Sequence, residues 1–389
     1  MSIGNNYFQQ QHRLFRDAVR NFVKTELLPN IDDWEEQGFI PKSVFQQLGD
    51  IGFLGLEFDK KFGGAQTDFW MTIVFAEELA KCKSGGVGFS IIVHTDMSSP
   101  WLHKYGDEKQ KTEFMPDIVK GKQICALAIT EPNAGSDMAG ISTTAIKKDG
   151  NWIINGTKIF ITNGVYGDLF FLAAKTDNSS KYHQNLSQFI VPASTPGISV
   201  TRKLDKTGMR SSDTAELVFD NVEISESNLL GIENEGFYQL ANGLQRERLL
   251  ASVMSVSAAE DTLADTVGYI SSRRTFGKLL KSHQVIRHKV AELSTEIESA
   301  KALNYMAADL YSKGIDCSKE VSMAKLHTMN VVNKVAYETV QMHGGYGYIR
   351  ELSAERFARD YRLWAIAGGT NEMMKEIISK NILGKVESD

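Results

Sequence analysis

Apolar positions along the chain keep two rhythms. Up to about residue 122 they recur every three to four places, as in Phe8, Leu14, Phe15, Val19, Phe22 and Val23, and again in Val44, Leu48, Ile51 and Leu54. That spacing predicts helices, punctuated by Pro29 and Pro41, with the first helical segment ending before Pro29. Near residue 124 the texture changes to short β-rich runs such as ICALAIT, NWIINGTKIFITN, DLFFLAAKT, QFIVPAS and TAELVFDNVEI. Asp149–Gly150 and Asn155–Gly156 read as turns between them, which predicts an antiparallel barrel or sandwich. The polar stretch 176–187 reads as a loop or hairpin connection. Beyond Gly236 helical spacing returns until near Lys385, with helices expected over 236–258, 261–274 and 283–313 and another closing at Gly344–Gly345. The fold class is therefore α+β, with an N-terminal helical domain over 1–123, a middle β-domain over 124–235 and a C-terminal helical domain over 236–389.

One helix carries an anomaly. Wound at about 100° per residue, the segment from Gly236 to Ala258 puts Leu240, Leu244, Ala251, Met254 and Ala258 on one face, and Glu247 in the middle of that line. Gly243 lies beside it, and Arg246 and Arg248 splay to either side. A carboxylate on an inward face is costly unless neutral or partnered. Desolvation there raises its pKa toward the range of a general base. A glutamate salt-bridged to an internal arginine would give the same pattern.

Composition narrows the rest. The chain has 389 residues, a formal net charge of −5 and 42% hydrophobic residues. Such a balance fits a folded soluble protein and argues against non-specific nucleic-acid binding, which needs clustered Lys and Arg. Cys82, Cys125 and Cys317 are far apart and odd in number, so neither a disulfide framework nor a zinc site is expected. The eight histidines show no ligand spacing, so no metal is expected. His94 reads as a satisfied core histidine, since no acid or thiol partner is visible. No secretory signal or membrane-spanning run is evident. The expected location is cytoplasmic, or the mitochondrial matrix if the chain is a processed form.

Several short segments could hold an anion or an aromatic ring. ITEPNAGSDMAG, from Ile129 to Gly140, ends a strand in a turn where Gly135 admits backbone amides to an anion and Thr130 and Ser136 add hydroxyls. In KIFITNG, Phe160 and Thr162 are two apart and should share one face of a strand. SRRTFGK offers Arg273 and Phe276. QMHGGYGY offers Gln341, Gly344 and Gly345. AIAGGTNEMMKEII puts Gly368, Gly369 and Thr370 before a helix, with Thr370 as N-cap. Each segment equally suits a purely structural turn.

Taken together, AITEPNAGSDMAG, QMHGGYGYIRELSAERFARD, IFITN, RRTFGKLLKSHQ and GGTNEMMKEII resemble the acyl-CoA dehydrogenase family over nearly the whole chain. The resemblance implies a C-terminal four-helix bundle and FAD held between the β-domain and helices of two subunits, usually in a homotetramer. Ile129, Thr130 and Gly135 would lie at the flavin, and Ser136 at phosphate or acyl-CoA. Phe160 stands where the family usually has tryptophan, and Thr162 would lie near the reactive flavin nitrogen. Arg273, Phe276, Gln284, Gln341, Gly344 and Gly345 would hold the adenine half and pyrophosphate, with Thr370 and Glu372 completing that site. Tyr238, Gln245, Arg248 and Gly369 would contact the acyl-CoA, with Arg248 pairing an acid or steering the CoA end.

Most family members carry their base as a glutamate before GT in the late loop, where this chain has Gly368. A minority branch, including isovaleryl-CoA and long-chain dehydrogenases, keeps it on the helix in an ERL context, which GLQRERLLA matches at Glu247. The implied reaction is α,β-dehydrogenation of an acyl-CoA to the trans-2-enoyl-CoA. Glu247 takes the α-proton, the backbone around Gly368 stabilises the thioester oxygen, and electrons leave to an electron-transferring flavoprotein. Gly85, Gly86 and Gly88, expected at the far end of the acyl pocket, together with the small Gly368, favour a long or branched chain. The rival expectations are a flavin-dependent oxidase or monooxygenase, a non-catalytic binding partner, and a dehydrogenase of carrier-protein-bound acyl groups.

Overall fold

A computed structural model describes residues 7–177 and 184–384. The chain starts with α1 (Gln10–Phe22), passes Pro29 through a π and a 3-10 turn, and continues as α2 (Ile31–Gln37), α3 (Lys42–Asp50), α4 (Phe69–Leu79), α5 (Gly85–Ile92), α6 (Ser99–Tyr105) and α7 (Glu108–Val119). The strands follow as β1 (Cys125–Ala128), β2 (Thr144–Lys148), β3 (Asn151–Thr162), β4 (Leu169–Lys175), β5 (Leu186–Pro192), β6 (Ile198–Lys203), β7 (Thr214–Ser225) and β8 (Leu229–Leu230). The C-terminal part comprises α8 (Gly236–Ser272), the small hairpin β9 (Arg274–Thr275) and β10 (Lys278–Leu279), then α9 (Gln284–Ser312), α10 (Ser318–His343), α11 (Ser353–Tyr361) and α12 (Asn371–Leu383). Helix α10 packs against α8, α9 and α12. No helix of the described residues is long and apolar enough to cross a membrane.

The sheet departs from the expected antiparallel barrel. Its strands run β6-β7-β3-β2-β4-β5-β8 with both ends open, and β1 pairs β4 in parallel. The sheet is mixed because the β2–β3 hairpin is inserted between β1 and β4, which makes the crossover a parallel pair requires. Asp149 and Gly150 form the expected two-residue turn, both at positive φ, between paired Lys148 and Asn151. Asn155–Gly156 does not turn the chain. It lies inside β3 at a register shift, where a Cβ on Gly156 would come within 2.4 Å of Thr143 Oγ1. The middle of the polar connection expected over 176–187, residues 178–183, lies outside the described residues.

One further expectation changes. The helices expected over 236–258 and 261–274 are one unbroken 37-residue helix, α8, since no glycine or proline stands between Ala258 and Asp261 to end it. Gly85, Gly86 and Gly88 open α5. Added Cβ atoms there would strike Asp360 and Met209, Ser211 Oγ, and Met254 Cε at 2.8, 2.3 and 2.7 Å. These glycines let α5 press against a β-domain loop, α11 and α8 at once. Buried residues of α4, α5, α8, α9 and α10 share one core, while Trp152, Phe170, Phe189 and Phe219 fill a second inside the sheet. His94 is buried in the first expected role: Nδ1 accepts the Cys125 N–H at 3.1 Å and Nε2 donates to the Ile118 carbonyl at 3.1 Å. Burial lowers its pKa to about 4, so it stays neutral.

Candidate active site

The apolar stripe of α8 faces inward as its spacing predicts, with Leu240, Ala251, Met254 and Ala258 buried. Glu247 sits among them at 5% exposure. Its Oε1 has no hydrogen-bond partner, and no ion pair reaches the carboxyl among the described residues. Burial pushes the Glu247 pKa up to about 8, against the pull of Arg248 and Lys325. One turn back, a Cβ on Gly243 would come within 2.7 Å of the Trp101 ring, so the helix passes close to α6 just before the acid. Arg246, the other flanking arginine, is engaged elsewhere, by Glu57 at 2.7 Å and by Asp96.

Arg248 pairs with no acid among the described residues. Its Nε donates to the Gly368 carbonyl at 2.9 Å. On the other side of the same loop, the buried Lys325 of α10 donates from Nζ to the Ala367 carbonyl at 2.6 Å and to the Gly369 carbonyl. Two cations thus hold three successive carbonyls, while Gly368 and Gly369 turn the chain at φ +65° and +92°. Such angles suit glycine alone at little cost. Thr370 then caps α12, its hydroxyl accepting the Met373 N–H at 3.2 Å. Glu372, in the first turn, has its pKa lowered by backbone N–H groups and by Thr370.

In the expected flavin loop, Thr130 hangs next to a buried ion pair. Lys158 Nζ meets Glu131 Oε1 at 2.8 Å and the Ile129 carbonyl at 2.9 Å, with both side chains shielded from water. The other oxygen of Glu131 accepts the Ser142 N–H and hydroxyl, and Thr143 N–H bonds Oε1. Burial opposes ionisation of Glu131, but Lys158 and these donors outweigh it and hold the carboxyl well below the usual range. The loop that leaves β1 is therefore pinned to β3. Gly135 and Ser136 are exposed at its tip, and a Cβ on Gly135 would touch nothing within 4 Å. Phe160 and Thr162 do not follow simple strand alternation. A register shift between Lys158 and Ile161 sets Phe160 at φ +62° and 65% exposure, whereas Thr162 is buried.

At the other end of α8, Arg273, Gln341, Gly344 and Gly345 line one cleft of about 400 Å³ with Tyr269 and Tyr346. Phe276 is outside it, 96% exposed on the β9–β10 turn. Gln284 is also outside, its amide turned to His288 at 3.4 Å. Twenty-six residues of helix separate Arg273 from Glu247, about 39 Å at 1.5 Å per residue. The cleft and the acid thus stand far apart along α8. Tyr238 is half-exposed near the start of α8, and Gln245 is partly buried beside Glu247.

FAD fits these residues by a test internal to the chain. The hydroxyls of Thr130, Ser136 and Thr162 are bonded to nothing else among the described residues. Added Cβ atoms at Gly135 and Gly345 would meet nothing within 4 Å, so internal packing does not require glycine there, whereas Gly344 is explained by its φ of +62°. Lys325, Lys158 and Glu131 escaped the reading of the sequence. Lys325 had a readable signal, a lysine on the apolar line Val321, Ala324, Thr328, Val332 of its helix.

Comparison with known proteins gives a consistent picture. Three family models match: the N-terminal, middle and C-terminal domains of acyl-CoA dehydrogenase, over residues 9–122, 126–222 and 234–383. The chain is 40% identical to the mitochondrial long-chain specific acyl-CoA dehydrogenase of Mus musculus, across 97% of this chain and 87% of that protein. It is 41% identical to the solved acyl-CoA dehydrogenase of Geobacillus kaustophilus, with a TM-score of 0.93 over 97% of this chain and 99% of that one. The solved prolyl acyl carrier protein oxidase AnaB is also similar, at 29% identity and a TM-score of 0.92, over 97% and 100%.

Proposed function

The chain belongs to the acyl-CoA dehydrogenase family, FAD-dependent oxidoreductases that dehydrogenate acyl-CoA, and from that premise we propose that Glu247 is its catalytic base and that its substrate carries a long or branched acyl chain. The observation that carries this reading is the Glu247 carboxyl: buried, unpaired, raised toward neutrality, and opposite a loop whose own base position is Gly368.

FAD, when bound, supplies the two-electron acceptor for the β-hydrogen. The chain supplies the rest. Glu247 takes the α-proton of the bound thioester. Negative charge then grows on the thioester oxygen, and a fixed backbone donor from the 367–369 loop stabilises it in a dry site. Thr130, Thr162, Ser136 and Gly135 of the β-domain would hold the flavin half, with Phe160 beside them. Arg273, Gln341, Gly344 and Gly345 would hold the adenine half for a neighbouring subunit, a reading that their separation from Glu247 along α8 supports. Phe276 and Gln284 reach that half only if the partner's surface closes on them. A homotetramer and an electron-transferring flavoprotein as acceptor belong to the same reading. The long-chain preference is supported by the likeness to the mouse enzyme.

The test is anaerobic titration of the FAD-loaded enzyme with straight and branched acyl-CoAs from about four to eighteen carbons. Bleaching of the flavin should be strongest with a long or branched chain. Bleaching by short straight chains alone would overturn the substrate assignment. A carrier-protein enzyme would instead be reduced only by the protein-bound thioester, and an oxidase, though bleached by its substrate, would be reoxidised rapidly when oxygen is admitted.

A further inference from the structure

Lys325 is the one group near Glu247 that the proposed reaction leaves without a task. It is fully buried on α10 and makes no ion pair among the described residues. Its donors go to the carbonyls on either side of Gly368, those of Ala367 and Gly369. A trans peptide points its C=O and N–H in opposite directions. Gripping the Ala367 carbonyl therefore turns the Gly368 N–H away from Lys325, and Arg248 does the same for the Gly369 N–H by holding the Gly368 carbonyl. Neither N–H finds an acceptor among the described residues. The loop presents free donors whose direction is set by two cations behind it. Left alone, two consecutive glycines would not keep one direction, because glycine backbones rotate more freely than any other.

We propose that Lys325 is a positioning residue for this reaction: its grip on Ala367 and Gly369 aims the Gly368 N–H at the thioester oxygen and so makes the α-proton acidic enough for Glu247. The inference rests on the reading of Glu247 as base and of the loop as oxygen-binding. A lysine suits the task because its Nζ reaches two carbonyls at once. Burial lowers its pKa to about 7, and the amine keeps N–H donors for both carbonyls whether or not it carries the extra proton. A merely structural lysine would hold the loop equally well but leave proton removal untouched once substrate is bound.

The experiment measures proton removal without hydride transfer. The FAD-loaded enzyme is incubated in D2O with 3-thiadodecanoyl-CoA, whose sulfur at the β position has no hydride to give, and α-deuterium uptake is followed by mass. In Lys325→Met, exchange should fall by at least about ten-fold, since small misplacements of a catalytic donor are costly. The Kd of the analogue, the bound FAD and the melting temperature should stay close to the parent's. Lys325→Gln, whose shorter side chain keeps an amide NH2 as donor, should recover part of the rate and serves if the methionine variant does not fold. Exchange within two-fold of the parent in either variant, or a loss matched by an equal loss of analogue binding, overturns the proposal. Glu247→Gln is the control. Exchange that survives there, or that is absent from the unmodified enzyme, sinks the base assignment and this inference with it, an outcome distinct from failure of Lys325 alone.

Discussion

Glu247 and Arg248 are neighbours in sequence and opposite in charge, yet they do not pair: the guanidinium Nε bonds the Gly368 carbonyl at 2.9 Å, and the carboxyl is left with a bare Oε1. A structural ion pair would have lowered the acid's pKa. This arrangement keeps it raised, and it separates the acid that moves a proton from the cation that orders the loop.

Replacing Glu247 by Gln preserves shape and removes the base. Turnover should fall at least ~100-fold, the range of a lost general base, with FAD content and acyl-CoA affinity retained. Steady-state rates with the best acyl-CoA of the panel, alongside the flavin spectrum, decide it. Near-normal turnover would end the assignment.

Rate should follow the ionisation of the same carboxyl. A base titrating near pH 8 in the free enzyme gives a kcat/KM that climbs across the neutral range and levels above it. A flat profile from pH 6 to 9 would contradict a desolvated base.

Stability should respond with a definite sign. Glu247 titrates near 4.5 in the unfolded chain and near 8 when folded. What it contributes to stability is complete below pH 4.5 and is lost as pH rises through 8, by up to about 1.4 kcal/mol per pH unit. Glu247→Gln escapes this loss, so its melting temperature should exceed the parent's by a margin that widens from pH 5 to 8. A margin independent of pH would refute the raised pKa.

Lys158→Met removes one partner of a buried pair and leaves the Glu131 carboxylate without its cation. The expected cost is about 3 kcal/mol or more, seen as a lower denaturation midpoint. FAD affinity should also weaken, because the pair pins the loop that carries Thr130. Unchanged cofactor affinity would show that the pin serves folding only.

Gly86→Ala probes the docking of α5. Its Cβ would lie 2.3 Å from Ser211 Oγ and 3.0 Å from the backbone at 209 and 212. Overpacking of this kind costs about 1–3 kcal/mol, whereas Gly135→Ala, with open space around its Cβ, should leave the apoprotein's stability unchanged. Melting curves of the two variants without added FAD test the contrast.

Much of this was legible in the chain. The helical stripe with Glu247 at its centre follows from periodicity, because a fully inward face tolerates no accidental acid. The Asp149–Gly150 hairpin follows from turn chemistry. What escaped was long-range: the parallel β1–β4 pair depends on what is inserted between the strands, and the bulges at Gly156 and Phe160 depend on Thr143 and on β7. A segment boundary was also expected where α8 runs on, since nothing local marks its continuation except the lack of a breaker. Lys325 and the Glu131–Lys158 pair were missed because a buried cation is recognisable only with its acceptors, and these lie 42 to 44 and 27 to 29 residues away.

The uninterrupted course of α8 has a mechanical corollary. With no break between residues 236 and 272, a single segment carries both the acid and the Arg273 end, so the two move as parts of one body rather than across a joint.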